Sequence, residues 1–124
     1  MDITRAITLF DALSQETRLK AFRLLVQAGP GGLAAGVLSE KLGIPHNTMS
    51  FHLHHLTHAG IVSSRKAGRS VIYSADFLLV RELIGFMVKD CCSSEVASIR
   101  EDQATGCSII ELGEYCGASV PTRP

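Results

Sequence analysis

The sequence PHNTMSFHLHHLTHAGIV, residues 45–62, decides the fold of this 124-residue chain. Met49, Leu53 and Leu56 stand at the i, i+4 and i+7 positions of a helix, which places their apolar side chains on one face. A proline is tolerated at the start of a helix, and the Ala-Gly pair near the end of the stretch would stop it. We therefore predict an amphipathic helix with a buried apolar face and a polar face opposite.

Three further helices are predicted before this one. The first runs from Ile3 to Leu13, and the second begins with Ser14 as its N-cap and ends at the GPGG segment of residues 29–32. The third covers about residues 33–42 and ends at Gly43, so a short helix, a glycine turn and a second helix follow one another, as in a helix-turn-helix. The apolar positions at helical spacing in these three helices are Ile3, Ile7, Phe10, Leu13, Leu19, Phe22, Leu25, Val26, Val37, Leu38 and Leu42.

A β-hairpin and a fifth helix are predicted after residue 60. The β-branched runs of residues 61–64 and 70–73 flank residues 65–69, whose glycine suits a tight turn, so the hairpin would have a basic tip. Asp76 then begins a helix that ends at about Asp90 and is apolar on nearly every side. A helix of that kind must be covered all round, and in so small a chain a partner subunit is the expected cover.

The chain is therefore predicted to be mainly α-helical with a small β-hairpin, a winged helix-turn-helix. We place the DNA-binding and dimerisation domain in residues 1–92 and a C-terminal tail in residues 93–124. No run of about 18 apolar residues is present, and the N-terminus lacks the charged start and apolar core of a signal peptide. A cytoplasmic protein without a membrane partner is expected.

The formal net charge of zero conceals an uneven distribution along the chain. Residues 1–80 carry eight Lys or Arg against five Asp or Glu, whereas residues 81–124 carry four against seven. Residues 41–75 contain no acidic residue, four Lys or Arg and all five histidines. A surface that faces DNA phosphates requires such a stretch, because the backbone charge repels carboxylates. Chance clustering in a neutral protein is the alternative explanation.

A winged helix-turn-helix places the second helix of the pair in the major groove of double-stranded DNA. Asn and His can bind base edges, Ser and Thr can bind bases or phosphate, Phe can contact a thymine methyl group, and basic wing residues can bind phosphate. The residues predicted to contact the DNA are His46, Asn47, Thr48, Ser50, Phe51 and His54 on the helix and Arg65, Lys66 and Arg69 on the wing. An ordinary amphipathic helix beside an exposed hairpin is the alternative interpretation.

The histidines also allow a metal site. His54 could bind a metal with His55, or with His58 one helical turn away. No acidic or cysteine ligand lies nearby in the sequence, so contact with the DNA groove is the simpler interpretation. His52 is predicted to be a packed or hydrogen-bonded residue of the helix.

Cys91, Cys92, Cys107 and Cys116 are the four cysteines of the chain, and all lie in its last third. In a reducing compartment, clustered cysteines are more often metal ligands or redox groups than structural disulfides. Sites rich in thiolates and without histidine select soft ions such as trivalent arsenic. Small buried apolar cysteines and a switch based on disulfide formation are the alternatives.

Three stretches carry a resemblance to a known family: residues 13–20 (LSQETRLK), 38–44 (LSEKLGI) and 48–62 (TMSFHLHHLTHAGIV), followed by the wing through Tyr73. Over roughly residues 5–90 the chain resembles the bacterial ArsR/SmtB family of metal-responsive repressors. The resemblance implies a homodimer joined by the first and last helices. It also implies repression by operator binding, which ends when a metal or metalloid binds.

The cysteines distinguish this chain from two groups of that family. It has no Cys-Val-Cys on the helix before the recognition helix, and no histidine after His58 for a zinc site. Asp90-Cys91-Cys92 and Cys107 are instead similar to a third group, which responds to arsenite. The resemblance therefore implies arsenite as the inducer. Because trivalent arsenic prefers three thiolates, we expect it, or antimonite, to bind these three cysteines, and we expect no organic cofactor.

The role of Cys116 and the identity of the inducer have alternatives. Cys116 could be a fourth thiolate, which would suit zinc or cadmium, or it could replace Cys107. Methylated arsenic(III), zinc, cadmium or thiol oxidation could be the signal. An enzyme is not expected, because the chain lacks both a Cys-x-x-Cys motif beside a βαβ unit and a glycine-rich phosphate loop.

Overall fold

A computed structural model describes residues 1–89 of the chain. In chain order its elements are α1 (Ile3–Leu13), α2 (Glu16–Ala28), a 3-10 turn (Gly29–Gly31), β1 (Leu33–Ala34), α3 (Ala35–Leu42), α4 (His46–Ala59), β2 (Val62–Ala67), β3 (Ser70–Ala75) and α5 (Phe77–Val88). The chain divides between residues 82 and 83 into two units, and the structure describes the second as far as residue 89. The mainly helical winged helix-turn-helix predicted from the sequence is confirmed. The predicted domain boundary at residue 92 lies outside the described residues.

The helix-turn-helix consists of α3 and α4. Gly43 ends α3 in the left-handed conformation, with φ of 66°, and Pro45 is the N-cap of α4. Met49, Leu53 and Leu56 have 0% of their surface exposed, which confirms the predicted apolar face of α4. Because α4 contacts α1, α2, α3 and β2, these elements together fix its position in the unit.

The wing belongs to a three-stranded antiparallel sheet with the strand order β1-β3-β2. β2 and β3 form the predicted hairpin, and β1 adds a strand that the sequence did not predict. Leu33 of β1 pairs with Tyr73 of β3, so α3 begins at Ala35 and not at residue 33. Gly32 permits this pairing, because its φ is 72° and a Cβ there would overlap the carbonyl oxygen of Tyr73.

The predicted N-cap of α2 is wrong by one residue. Gln15, not Ser14, is the N-cap of α2, and its side-chain oxygen accepts a hydrogen bond from the N–H of Arg18 at 2.9 Å. Ser14 caps the C-terminus of α1, and its hydroxyl donates to the carbonyl of Asp11 at 2.7 Å. A serine hydroxyl can bond to the backbone behind it or ahead of it, and the local sequence does not decide between the two.

The apolar side chains of α1 lie on two different faces. The buried face is formed by Ala6, Leu9 and Ala12. The predicted positions Ile3, Ile7 and Phe10 form a second face, here called the α1 stripe, which is 63%, 60% and 42% exposed respectively. Helical spacing identifies an apolar face but does not show what covers it.

The remaining helices follow the prediction in part. Phe22, Leu25 and Leu38 are buried as expected, whereas Leu19, Val26 and Val37 are exposed and Leu13 and Leu42 are half-buried. Asp76 precedes α5 as predicted, and its Oδ1 accepts a hydrogen bond from the N–H of Leu79 at 3.0 Å. The helix ends at Val88, close to the predicted end, and Leu78 is 75% exposed.

Candidate nucleic-acid interface

The outward face of α4 carries the predicted groove-facing residues. Its exposed members are His46, Asn47, Thr48, Phe51 and His54, and Ser50 is half-buried. The Phe51 side chain is 66% exposed, although Leu53, two positions further on, is fully buried. An exposed aromatic ring among short polar side chains is suited to contact base edges and thymine methyl groups.

The recognition helix α4 and the wing strands carry no acidic side chains. No Asp or Glu occurs between residues 41 and 75, so α4 and both wing strands contain no carboxylate. The carboxylate of Asp11 on α1 approaches α4, because its Oδ2 lies 3.9 Å from Nε2 of His55. His55 is not among the predicted DNA contacts. The face that carries Phe51 therefore has no acidic residue of its own to repel a phosphate backbone.

The basic residues of the wing are not all at its tip. Arg65 and Lys66 lie within β2, and only Arg69 lies in the turn between the strands. The predicted basic tip is wrong for the first two, because the strands pair as far as the residues beside the turn. Successive side chains of a strand point to opposite faces, so Arg65 and Lys66 emerge on opposite sides of the hairpin. Arg65 Nη2 donates to the carbonyl oxygen of Gly31 at 3.0 Å.

Arg18 of α2 connects α1 with α4, and sequence reasoning did not identify this role. Its Nε donates to the carbonyl of Ala12 at 2.6 Å, and its Nη2 lies 3.5 Å from the carbonyl oxygen of Asp11. Its Nη1 lies 3.5 Å from Nδ1 of His52 on α4. From the sequence, Arg18 is only a residue beside the apolar stripe of α2, and helical spacing contains no signal for contacts with two other helices.

His52 is a hydrogen-bonded residue of α4, as predicted. Burial lowers the pKa of His52 below its usual value of 6.5, and the neighbouring charges of Arg18 and His55 lower it further. The neutral ring can accept a hydrogen bond at Nδ1 when its proton is on Nε2. The ring of Phe51 lies edge-on to the His52 ring, with a centroid distance of 5.7 Å. The contact between Arg18 and His52 is therefore next to the surface that is predicted to face DNA.

The histidine pairs considered as metal ligands lack further protein ligands in the described region. The rings of His54 and His58 stack with their centroids 6.3 Å apart. Among residues 1–89, no three His, Cys, Asp or Glu side chains come together in a way that could hold a metal ion. The predicted thiol ligands Cys91, Cys92, Cys107 and Cys116 lie outside the described residues.

Comparison with known proteins places this fold among transcriptional regulators. Residues 13–65 match a family model described as a helix-turn-helix domain. The chain is 30% identical over 80 residues to the transcriptional repressor SdpR of Bacillus subtilis (strain 168). The aligned stretch covers 64% of this chain and 86% of that protein.

Two solved structures extend this result. A possible transcriptional regulator for arsenical resistance is 25% identical, with a TM-score of 0.56 and coverage of 77% of this chain and 94% of that one. A homodimeric winged helix-turn-helix DNA-binding domain of a possible ArsR-family regulator from Mycobacterium bovis shares the fold, with a TM-score of 0.58, 20% identity and coverage of 82% of both chains.

This chain belongs to the family of helix-turn-helix transcriptional regulators that includes SdpR. The helix-turn-helix of the regulator, α3 and α4, lies entirely within the matched residues, and the match ends in β2. Its relatives are regulators of transcription, a class whose members are typically not enzymes. Within residues 1–89, no helix combines the length and the apolar character needed to cross a bilayer.

Proposed function

We propose that this regulator represses transcription by binding operator DNA as a homodimer, and that it releases the DNA when trivalent arsenic binds its C-terminal cysteines. One observation carries the DNA-binding part: the outward face of α4 is exposed, polar and aromatic, and free of carboxylates. The proposed contacts are His46, Asn47, Thr48, Ser50, Phe51 and His54 to the major groove, and Arg65, Lys66 and Arg69 to the DNA backbone. The similarity to SdpR, a transcriptional repressor, supports repression.

The α1 stripe supports a homodimer. Ile3, Ile7 and Phe10 stand at i, i+4 and i+7 of one helix and are largely exposed in the single chain. Contiguous apolar surface of this kind favours burial against another protein. Leu78 near the start of α5 is 75% exposed, which agrees with the proposal that the first and last helices join the subunits. The related domain from Mycobacterium bovis is homodimeric.

Cys91, Cys92 and Cys107 are the proposed arsenic ligands, with Cys116 as a further thiol or as a replacement for Cys107. Binding exchanges each arsenic–oxygen bond of arsenite for an arsenic–sulfur bond and releases water, so the step needs no oxidant or reductant. Thiolates select a soft centre over the hard cations that carboxylates prefer, and antimonite has the same preference. The likeness to a possible regulator for arsenical resistance supports this choice of inducer.

Cys91 and Cys92 follow α5 closely in the sequence, so a ligand there would act next to a helix of the proposed subunit interface. A change in subunit spacing weakens DNA binding, because the distance between half-sites on DNA is a geometric constraint. Each tenfold loss of affinity requires that the ligand prefer the weakly binding form by about 1.4 kcal/mol.

A fluorescence anisotropy titration tests both parts of the proposal. The probe is a DNA duplex that the wild-type protein has selected from a random-sequence pool. Arsenite, antimonite, methylated arsenic(III), zinc, cadmium and hydrogen peroxide are added in separate titrations. We expect arsenite to raise the Kd by about tenfold or more, which corresponds to about 1.4 kcal/mol of coupling.

The double variant Cys91→Ser/Cys92→Ser should bind the duplex as the wild type does and lose the arsenite response. The single variants Cys107→Ser and Cys116→Ser show how much each remaining thiol contributes to that response. Release by arsenite from the double variant would contradict the thiol site. Release by peroxide or zinc but not by arsenite would show that arsenite is not the inducer. Failure of the wild type to select any duplex would contradict DNA binding itself.

A further inference from the structure

Arg18 holds the last turn of α1. The carbonyls of Ala12 and Asp11 lie at the C-terminal end of that helix, and the Asp11 carbonyl also accepts hydrogen bonds from the N–H and the hydroxyl of Ser14. Arg18 Nε donates to the first at 2.6 Å, and Nη2 lies 3.5 Å from the second. A cation is also favoured at a helix C-terminus by the helix dipole. Arg18 is therefore anchored to α1, although it belongs to α2.

The same guanidinium reaches α4 at the edge of the DNA-facing surface. Arg18 Nη1 lies 3.5 Å from Nδ1 of His52, and the His52 ring touches the ring of Phe51 edge-on. Phe51 is one of the proposed base contacts and is 66% exposed, whereas Arg18 is half-buried. A movement of Arg18 would thus displace His52 and, through it, the side chain that faces the groove.

We propose that Arg18 is a positioning residue for DNA binding, which sets the orientation of α4 relative to the C-terminus of α1 by bonding to a neutral His52. This inference rests on the proposed operator contacts of α4 and adds a residue that does not itself contact DNA. It also connects α1, which carries the exposed apolar stripe, with the recognition helix.

The chemistry of the two side chains explains why this pair suits the role. The planar guanidinium presents several N–H donors in a fixed fork, so it can serve two carbonyls of α1 and His52 together, whereas a lysine ammonium cannot span the same partners. A protonated His52 would offer no acceptor and would add a positive charge beside Arg18. Of the other titratable groups, His55 of α4 also lowers the pKa of His52, and the carboxylate of Asp11 lies 3.9 Å from His55.

Substitutions of Arg18 and His52 test the inference. Arg18→Met and Arg18→Lys are compared with Arg23→Met, which removes an exposed arginine from the same helix. The Kd for the duplex selected by the wild type is measured by anisotropy at several salt concentrations, and folding is checked by circular dichroism. We expect Arg18→Met to raise the Kd by about tenfold, Arg18→Lys to raise it less, and Arg23→Met to change it by less than about twofold. The salt dependence of binding should stay unchanged, because no phosphate contact is lost.

A pH series separates this role from a general effect on folding. His52→Gln keeps a neutral acceptor at every pH, so the ratio of the wild-type Kd to the His52→Gln Kd should rise as the pH falls below 6.5, the usual pKa of histidine. In the Arg18→Met background the same ratio should not change with pH. The comparison removes the pH effects that the two proteins have in common.

Three results would overturn the inference. The first is an equal Kd for Arg18→Met and Arg23→Met, and the second is a ratio that does not change with pH when Arg18 is present. The third is a salt slope reduced by about one in Arg18→Met, since that would make Arg18 a phosphate contact. All three leave the proposed DNA binding intact. A wild-type protein that selects no duplex would overturn both proposals.

Discussion

Arg65 Nη2 donates a hydrogen bond to the backbone carbonyl of Gly31, 3.0 Å away and 34 positions earlier in the chain. The bond runs from β2 at one edge of the sheet, across β3, to the turn that precedes β1 at the other edge. Arg65 therefore fixes the wing to the rest of the domain. Lys66, on the opposite side of the hairpin, makes no such bond in the described structure and is exposed.

Lys66→Ala and Arg65→Ala should weaken DNA binding in different ways. Lys66→Ala removes a charge near phosphate, so we expect the slope of log Kobs against log salt to fall by about one, with similar losses on all sequences. Arg65→Ala also frees the wing, which should accelerate amide hydrogen exchange in β2 and β3. Anisotropy at several salt concentrations and hydrogen-exchange mass spectrometry measure the two effects. An unchanged slope for Lys66→Ala, or unchanged exchange for Arg65→Ala, would contradict these roles.

Phe51→Ala and Leu53→Ala separate DNA binding from stability on one helix. Leu53 is fully buried, so Leu53→Ala should lower the free energy of unfolding by about 2–5 kcal/mol. Phe51 is 66% exposed, and Phe51→Ala should change that free energy by less than about 0.5 kcal/mol while it weakens DNA binding. Urea denaturation and anisotropy provide the two readouts. A large stability loss in Phe51→Ala would show that its ring is part of the core.

Gly32→Ala should destabilise the domain, and Gly36→Ala provides the matched control. At Gly32 the backbone has a φ of 72° and an added Cβ would overlap the Tyr73 carbonyl, so we expect a loss of about 2 kcal/mol or more. Gly36 lies in α3 with open space around it, and alanine there should stabilise the helix by about 0.5–1 kcal/mol. Urea denaturation of both variants checks the opposite signs, and equal effects would contradict the close approach of β1 to β3.

Ile7→Asp should dissociate the proposed homodimer. Ile7 lies at the centre of the α1 stripe and is 60% exposed in the single chain, so an aspartate there would place a charge in the interface without disturbing the monomer core. We expect the dimer dissociation constant to rise by about tenfold or more, as for the loss of a central interface residue. Sedimentation equilibrium measures it, with the exposed neighbour Thr8→Asp as control. If the wild type is a dimer and the Ile7→Asp variant has the same dissociation constant, the interface lies elsewhere.

The stability of the domain should fall at acidic pH through His52. The pKa of His52 in the folded protein lies below its usual 6.5, so the unfolded chain binds this proton more readily than the folded one. The contribution of His52 is therefore fully present above pH 6.5 and decreases as the pH falls from 6.5 towards the folded pKa. Urea denaturation at pH values above and below 6.5 should show a smaller pH dependence for His52→Gln than for the wild type. Equal dependence in the two proteins would mean that other groups account for it.

The elements that local sequence determines are those whose stabilising contacts are close in the chain. Met49, Leu53 and Leu56 recur at the period of one helix, and their spacing is sufficient to place α4 and its buried face. Gly43 ends α3 where a left-handed residue is needed. The hairpin follows in the same way, because β2 and β3 are joined by a short turn.

What the sequence by itself determined is the winged helix-turn-helix, its acid-free stretch and the grouping of its cysteines, since periodicity, charge and spacing can be seen in the chain alone. Only the tertiary structure decided the pairing of Leu33 with Tyr73, the bond from Arg65 to Gly31 and the contacts of Arg18 with α1 and α4. The pairing and the bonds from Arg65 to Gly31 and from Arg18 to α4 join positions more than 30 residues apart. Such partners are chosen by how helices and strands pack, which no local pattern encodes.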